Sequence, residues 1–304
     1  MMSAARRMRD ERGQTFVLGV VMITVLLGMA AMVLDVGSWF RGKRQMQATT
    51  DAAALAGAQS LPQSTSQART LAIQYGDSNG GGVAGADVTF ESQWVANDTI
   101  VVHAHKSHPA FIARIFGVGS QDIGAKAKAR SEAPSEARYV APIGVDRRHS
   151  LLSGSGCPCF GESTELDLKK VGPGAFRILN IDGSHGGTGG KDLASWMSGG
   201  FSGLMGLGWF YSDPGAKFNG DDFEDALDER IGTELLFPVY TNTRAQGAGF
   251  DYQVVGWVGF HLTGFDNKGN KGLLDGWFTS ITWEGVQAQP PSEDFGAHTI
   301  QLVE

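Results

Sequence analysis

Four groups of residues in this sequence have the types and spacing to do chemistry: His103-x-His105-x-x-His108, the glycine run Gly183–Lys191, the acidic stretch Asp221–Glu229 and the pair Cys157-Pro158-Cys159. On a strand, His103 and His105 share a face about 7 Å apart, and His108 could swing over to complete part of a zinc site. No fourth ligand stands nearby, and the same spacing suits an exposed polar strand. The glycine run misses the phosphate-loop frame: His185 stands where GxxxxGK needs Gly, and Asp192 replaces the Ser or Thr that would hold Mg²⁺. The six acids at 221–229 do not follow the alternate-ligand pattern of a calcium loop. They fit a helix whose first turn carries Asp221 and Asp222 for the dipole, with Phe223, Leu227 and Ile231 as its buried stripe. Gly200-Phe201-Ser202-Gly203-Leu204 lacks the closing glycine of a nucleophile elbow, and Asp182-Gly183-Ser184-His185-Gly186 lacks the second Ser of a DxSxS metal loop. No catalytic set, cofactor site or metal site is expected, and the protein reads as a non-enzyme.

The element that must position everything else lies at residues 16–61. Phe16–Leu34 is an uncharged run of 19 residues, which as a helix rising ~1.5 Å per residue spans about the hydrocarbon core of a bilayer. It continues without Gly or Pro from Lys43 to Ala56 through good helix formers. One long helix is predicted, rooted in a membrane, with an Ala-rich second half in water and an end at Gly57 or near Pro62. Arg6, Arg7, Arg9 and Arg12 precede the run and Arg41, Lys43 and Arg44 follow it, so charge counting alone sets no orientation. Residues 138–304 hold 12 Lys and Arg against 21 Asp and Glu. That acidic balance favours a cytoplasmic N-terminus, a single pass through the cell membrane and an extracytoplasmic remainder. A cleaved signal peptide ending at Gly28-Met29-Ala30 is the competing reading. The net charge of −7 argues against a nucleic-acid partner.

The rest divides into two expected units, giving an α+β fold class: residues 1–15 cytoplasmic, 16–61 the helix, 62–134 a small α+β unit and 135–304 a β-rich domain. In the small unit, helices are predicted at 66–76 and Pro109–Phe116, the latter with Phe111, Ile112, Ile115 and Phe116 inward. A hairpin is predicted from Asp87–Gln93 and Thr99–Lys106, and a one-face-exposed strand at Ile123–Arg130. Pro134–Arg138 reads as a linker. Beyond it, strands are predicted at Tyr139–Val145, Glu165–Lys170, Phe176–Ile181, Leu207–Tyr211, Leu235–Tyr240, Asp251–Leu262, Gly276–Trp283 and Thr299–Val303. Asp251–Leu262, the longest and most apolar, belongs at the sheet centre. Short helices fall at Lys191–Met197 and Asp222–Ile231. Cys157 and Cys159, the two cysteines, suit a local disulfide; an intermolecular bond, free thiols, or a metal or redox site stay open.

Arg12-Gly13-Gln14, the apolar run, Leu34-Asp35-Val36-Gly37 and Arg44-Gln45 through Asp51-Ala52-Ala53-Ala54-Leu55-Ala56-Gly57-Ala58 resemble the N-terminal segment of TadE/TadG-type proteins of Flp/Tad (tight adherence) pilus assembly. The resemblance covers about residues 10–62. It implies a membrane-anchored, pilin-like or pilus-assembly protein of the bacterial envelope. Its implied partners are the lipid bilayer and other Tad/Flp pilus or secretion components, with self-association open. Gly13 is not followed five residues later by Glu, as in processed pseudopilins, so the chain looks closer to the unprocessed kind. The pairs Ala52/Ala56, Ala53/Gly57 and Ala54/Ala58 would let helices approach closely, and Asp35 could pair with Arg41 or a neighbouring subunit. The expected assembly residues are therefore Asp35, Gly37, Gln45, Asp51, Ala52, Ala53, Ala56 and Gly57; packing of that face on the chain's own globular unit is the plainer alternative. An anchored binding or display module unrelated to pili, and a secreted hydrolase, are the other functional readings.

Overall fold

The computed structural model describes residues 12–117, 119–170, 172, 174–186, 188–212, 220–246, 249–267, 272–287 and 292–303. A single helix, α1 (Arg12–Ala58), is 47 residues long, about 70 Å at 1.5 Å per residue. Its two halves live in different surroundings. From Thr15 to Leu34 Ala31 is the one buried residue, with Gly28 half-buried and the rest exposed. From Met46 onward one stripe is closed: Met46, Thr49, Thr50, Ala53, Ala54, Gly57 and Ala58 recur at three- and four-residue spacing and are all buried. The two threonines satisfy their hydroxyls on helix carbonyls one turn back, Thr49 to Gln45 at 3.0 Å and Thr50 to Met46 at 2.6 Å.

A turn follows α1, and Ser64 caps α2 (Thr65–Ser78) by accepting the Gln67 N–H at 3.2 Å. Ala68, Ala72 and Gly76 form its buried edge. Three antiparallel strands follow, β1 (Val88–Glu91), β2 (Thr99–Pro109) and β3 (Ser120–Glu132), with β2 and β3 packed on α1 and β1 beside α2. Alternate residues of β3, from Ile123 to Ala129, point into the core. The helix expected over Pro109–Phe116 does not form. Pro109 still pairs with Ser120 in the β2–β3 ladder, and only a 3-10 turn at Ala113–Phe116 fits in the connection. Phe111 and Ile115 are 67% and 80% exposed rather than inward; the Phe116 side chain lies outside the described residues.

The larger part of the chain contributes β4 (Glu136–Ala137), β5 (Ile143–Asp146), α3 (Ser150–Ser153), β6 (Ser163–Asp167), β7 (Phe176–Ile178), α4 (Gly190–Gly199), β8 (Met205–Gly206), β9 (Gly208–Ser212) and α5 (Asp221–Asp228). It continues with β10 (Glu234–Gln246), β11 (Gly249–Asp266), β12 (Leu273–Thr279), β13 (Ile281–Thr282), β14 (Gly285–Val286) and β15 (Ala297–Val303). Its main sheet runs β6-β12-β11-β10-β5-β7, and β11, the longest at 18 residues, sits inside it and also pairs with β9. The apolar middle of β11, Val254 to Leu262, explains that position: such a run needs cover on both faces. Phe176, Phe237, Phe260 and Phe278 fill one face of the sheet, closed by Leu193 and Met197 of α4 and Phe223 and Leu227 of α5. Ile231, expected in that stripe, is 44% exposed, because α5 ends at Asp228 and Ala226 takes the buried place.

The small unit and the larger one are stitched together by their backbones. Strand β15 pairs with β3, Thr299 opposite Glu132 through Val303 opposite Lys128, giving one five-stranded sheet β1-β2-β3-β15-β13. Pro134–Arg138 is correspondingly no linker. Ala133 and Ala137 are buried, β4 lies between β14 and β8, and the Pro134 carbonyl accepts from Trp257 Nε1 and Ser292 Oγ, each at 2.9 Å.

Candidate assembly segment and membrane anchor

The first half of α1 is long and apolar enough to cross a membrane, and its side chains face outward rather than into the fold. Where the apolar run ends, Asp35 ties the helix to the body of the protein. Its side chain is 2% exposed and accepts three consecutive backbone N–H groups from the β2–β3 connection: Phe111 at 2.7 Å, Ile112 at 3.1 Å and Ala113 at 2.5 Å. The carboxylate thus serves as an anion held by amides of its own chain. That use replaces the expected pairing with Arg41, which is exposed. Two turns further, Gly42 lies under the His108 ring: a Cβ there would stand 2.7 Å from Cε1. Lys43 Nζ donates to the Gly124 carbonyl, and Gln47 Nε2 to that of Lys126 at 3.1 Å.

The eight expected assembly residues separate into two groups. Asp35, Ala53, Ala56 and Gly57 are buried within the chain's own fold. Gly57 meets Ile100 and Ala68, and Ala53 shares a core with Ala68, Ala72, Ile100 and Val102. Gly37 and Gln45 are exposed, and Asp51 and Ala52 half-buried. With Arg41 and Ala48, Gly37, Gln45 and Ala52 form the outward stripe of α1, at helical spacing. Asp51 accepts from Gln47 Nε2 at 2.8 Å and borders an open groove of about 500 Å³ walled by Lys126, Lys128, Leu302 and Val303. Strand β15 forms one wall of that groove, which no local reading of residues 45–57 could anticipate.

Residues 13–60 match a protein-family model, Tad, described as "Putative Flp pilus-assembly TadE/G-like". The matched Tad segment coincides with α1 almost to the residue, taking in both the outward apolar half and the half built into the core. Residues 61–304 lie outside it. No curated protein and no solved structure matches the chain.

The other chemistry-bearing groups have local occupations. His103 and His105 are exposed on β2, while His108 turns onto Gly42, so the three do not converge. Among the described residues no group of three or more His, Cys, Asp or Glu is arranged to hold a metal. Cys157 and Cys159 are joined by a disulfide. In the Gly183–Lys191 run the chain turns at Gly183 and enters α4 at Gly190, and Asp192 accepts the Gly189 N–H at 3.2 Å. A residue that sequence reasoning passed over is Asp98. It is 1% exposed and gathers the β1–β2 connection by accepting from Gln93, Trp94 and Val95 N–H and the Thr99 hydroxyl. Burial pushes its carboxyl up, but those donors outweigh it and hold the group below the usual carboxylate range. An Asp four residues past a Trp-Val turn was the available signal.

Proposed function

We propose that this protein is a single-pass, membrane-anchored component of a Flp/Tad-type pilus or its assembly apparatus, working by contact rather than catalysis. In this reading residues 16–34 cross the cell membrane, the N-terminus is cytoplasmic, and residues 40–304 form an extracytoplasmic body. The observation that carries it is the coincidence of the Tad match at residues 13–60 with one helix whose first half is bare and apolar. The partners are the bilayer and other pilus or secretion components, met through the outward stripe of α1 and the strand-rich body.

Mass spectrometry of a sheared filament fraction beside the washed membrane fraction of the native host tests this. Enrichment with the filaments makes the protein a minor pilin. Recovery in membranes, with abundance or behaviour that changes when the pilus ATPase is removed, makes it an anchored assembly component. Recovery in membranes with no response to that removal refutes the pilus reading and favours an anchored display module, which the unmatched residues 61–304 would then define.

A further inference from the structure

The connection between β2 and β3 joins two properties that seldom occur together in a water-facing loop. Its side chains are apolar and bare, with Phe111 at 67% and Ile115 at 80% exposure. Six of its backbone N–H groups, in contrast, are already paired. The N–H groups of Phe111, Ile112 and Ala113 go to the Asp35 carboxylate, Ala110 to the Gly119 carbonyl, Ile115 to Ile112 and Gly117 to Arg114. A loop in water has no need to satisfy its amides internally, whereas a segment entering lipid does.

The loop also reaches the right depth. Ala113 lines an apolar cleft of about 280 Å³ with Gly28, Ala31, Met32, Asp35, Val36 and Trp39 of α1. It therefore descends beside the last turns of the apolar run, and Ala31, next to it, is the one buried residue of that run. Met32, Val33 and Leu34 around it are 70%, 71% and 60% exposed. The bare side chains of the loop thus continue the exposed apolar surface of α1. Between Ala110 and Gly119 the only charged residue is Arg114, whose long side chain can lay its stem along apolar surface and its guanidinium among headgroup phosphates.

We infer that the β2–β3 loop is a second membrane contact: Phe111 and Ile115 enter the outer interfacial layer of the bilayer that α1 crosses. Asp35 sets their depth by clamping the loop to the helix. The body is then held at two points rather than one, which fixes its tilt relative to the membrane. This inference rests on the proposed membrane crossing by residues 16–34.

Nitroxide labels on single cysteines, read for collision with oxygen and with a water-soluble nickel chelate, test it on the full chain in phosphatidylcholine/phosphatidylglycerol vesicles. Cys157 and Cys159 are disulfide-bonded and leave no native thiol to label. The sites are Ile115→Cys and Phe111→Cys on the loop, Leu26→Cys in the apolar run and Lys126→Cys on an exposed strand face. The expected result is a ratio at 115 and 111 shifted several-fold toward oxygen relative to 126, as at 26. Water-like ratios at 115 and 111 with a lipid-like ratio at 26 overturn the second contact and leave the anchor standing. Shielding of 115 and 111 from both colliders, through a second copy or another protein, also overturns it. A water-like ratio at 26 overturns the crossing itself, and the second contact with it.

Discussion

A methyl group added at Gly57 and one added at Gly37 should move stability in opposite directions, although both residues lie in α1. At Gly57 the new Cβ would stand 2.4 Å from Ile100 Cδ1, 2.9 Å from the Ala68 carbonyl oxygen and 3.2 Å from Ala72 Cβ. All three neighbours are fully buried, and a carbonyl oxygen moves only with its helix. Overpacking of this kind costs about 2 kcal/mol, and the helix preference of Ala over Gly returns about 1 kcal/mol. Gly57→Ala should therefore lose about 1 kcal/mol net. Gly57→Leu, with three further carbons in the same closed space, should lose about 3 kcal/mol or more. At Gly37 a Cβ meets nothing within 4 Å, so Gly37→Ala keeps the helix gain of roughly 0.5–1 kcal/mol.

Thermal unfolding of the full chain in detergent micelles, followed by circular dichroism, reads the difference. At roughly 2–4 °C per kcal/mol, Gly57→Ala should melt a few degrees below the parent and Gly37→Ala slightly above it. A Gly57→Ala protein as stable as its parent, or shifts of the same sign at both sites, would refute the packing argument. Loss of self-association by Gly57→Leu with unchanged monomer melting would show instead that Gly57 belongs to an interface between molecules.

Removing the Asp35 carboxylate strands three backbone donors, each worth about 1–3 kcal/mol if left unpaired; Asp35→Ala should speed amide exchange across 110–117 at least tenfold, and unchanged protection there would show that the clamp contributes nothing. Asp98 should support the fold above the ordinary carboxylate pKa of about 3.9 and stop doing so as pH falls through its lowered folded value, so Asp98→Asn should cost about 2 kcal/mol at pH 7 and much less in acid. Glu132 works the other way: burial, opposed by Arg130 and reinforced by Asp98, raises its carboxyl, and Oε2 has no hydrogen-bond partner. Its contribution is present below the unfolded pKa and lost as pH rises through the folded one, so Glu132→Gln should raise the melting temperature at pH 7, by roughly 1–2 kcal/mol of stability, and the gain should vanish near pH 4. Ending the chain before Ala297 removes one of the two partners of β3 and leaves β2 in place, and exchange of the Lys128–Glu132 amides that face β15 should accelerate even though those residues belong to the small unit; unaltered protection would show that the two units fold separately.

Much of the fold was legible because local patterns settle it. The 19 uncharged residues of 16–34, the alternation in Ile123–Arg130 and the apolar length of Asp251–Leu262 each leave one economical solution. The strand expected at Thr299–Val303 formed at Ala297–Val303, yet beside β3 in the small unit's sheet. Its pairing partner lies some 170 residues away, and a strand's own residues do not name their neighbour. The same limit explains Pro134–Arg138. A Pro-Ser-Glu-Ala-Arg run looks like a linker until Trp257 and Ser292, more than 120 residues on, supply donors for the Pro134 carbonyl.

The two readings of the small-residue face of α1 could not be separated in the sequence for a related reason. Small residues at four-residue spacing allow close approach, but they do not say to what. Ala53 and Gly57 suit a neighbouring helix in a filament and suit Ile100 and Ala68 of the same chain equally well. Likewise the apolar residues of Phe111–Phe116 have a spacing that a buried helix would use, and lipid rewards the same composition as a protein core. What decides the local structure is long-range pairing: Pro109 stays in the β2–β3 ladder opposite Ser120, and the Asp35 carboxylate takes the amides of Phe111, Ile112 and Ala113. Asp35 stands 76 residues before Phe111, so that decisive bond could be seen only with the chain folded.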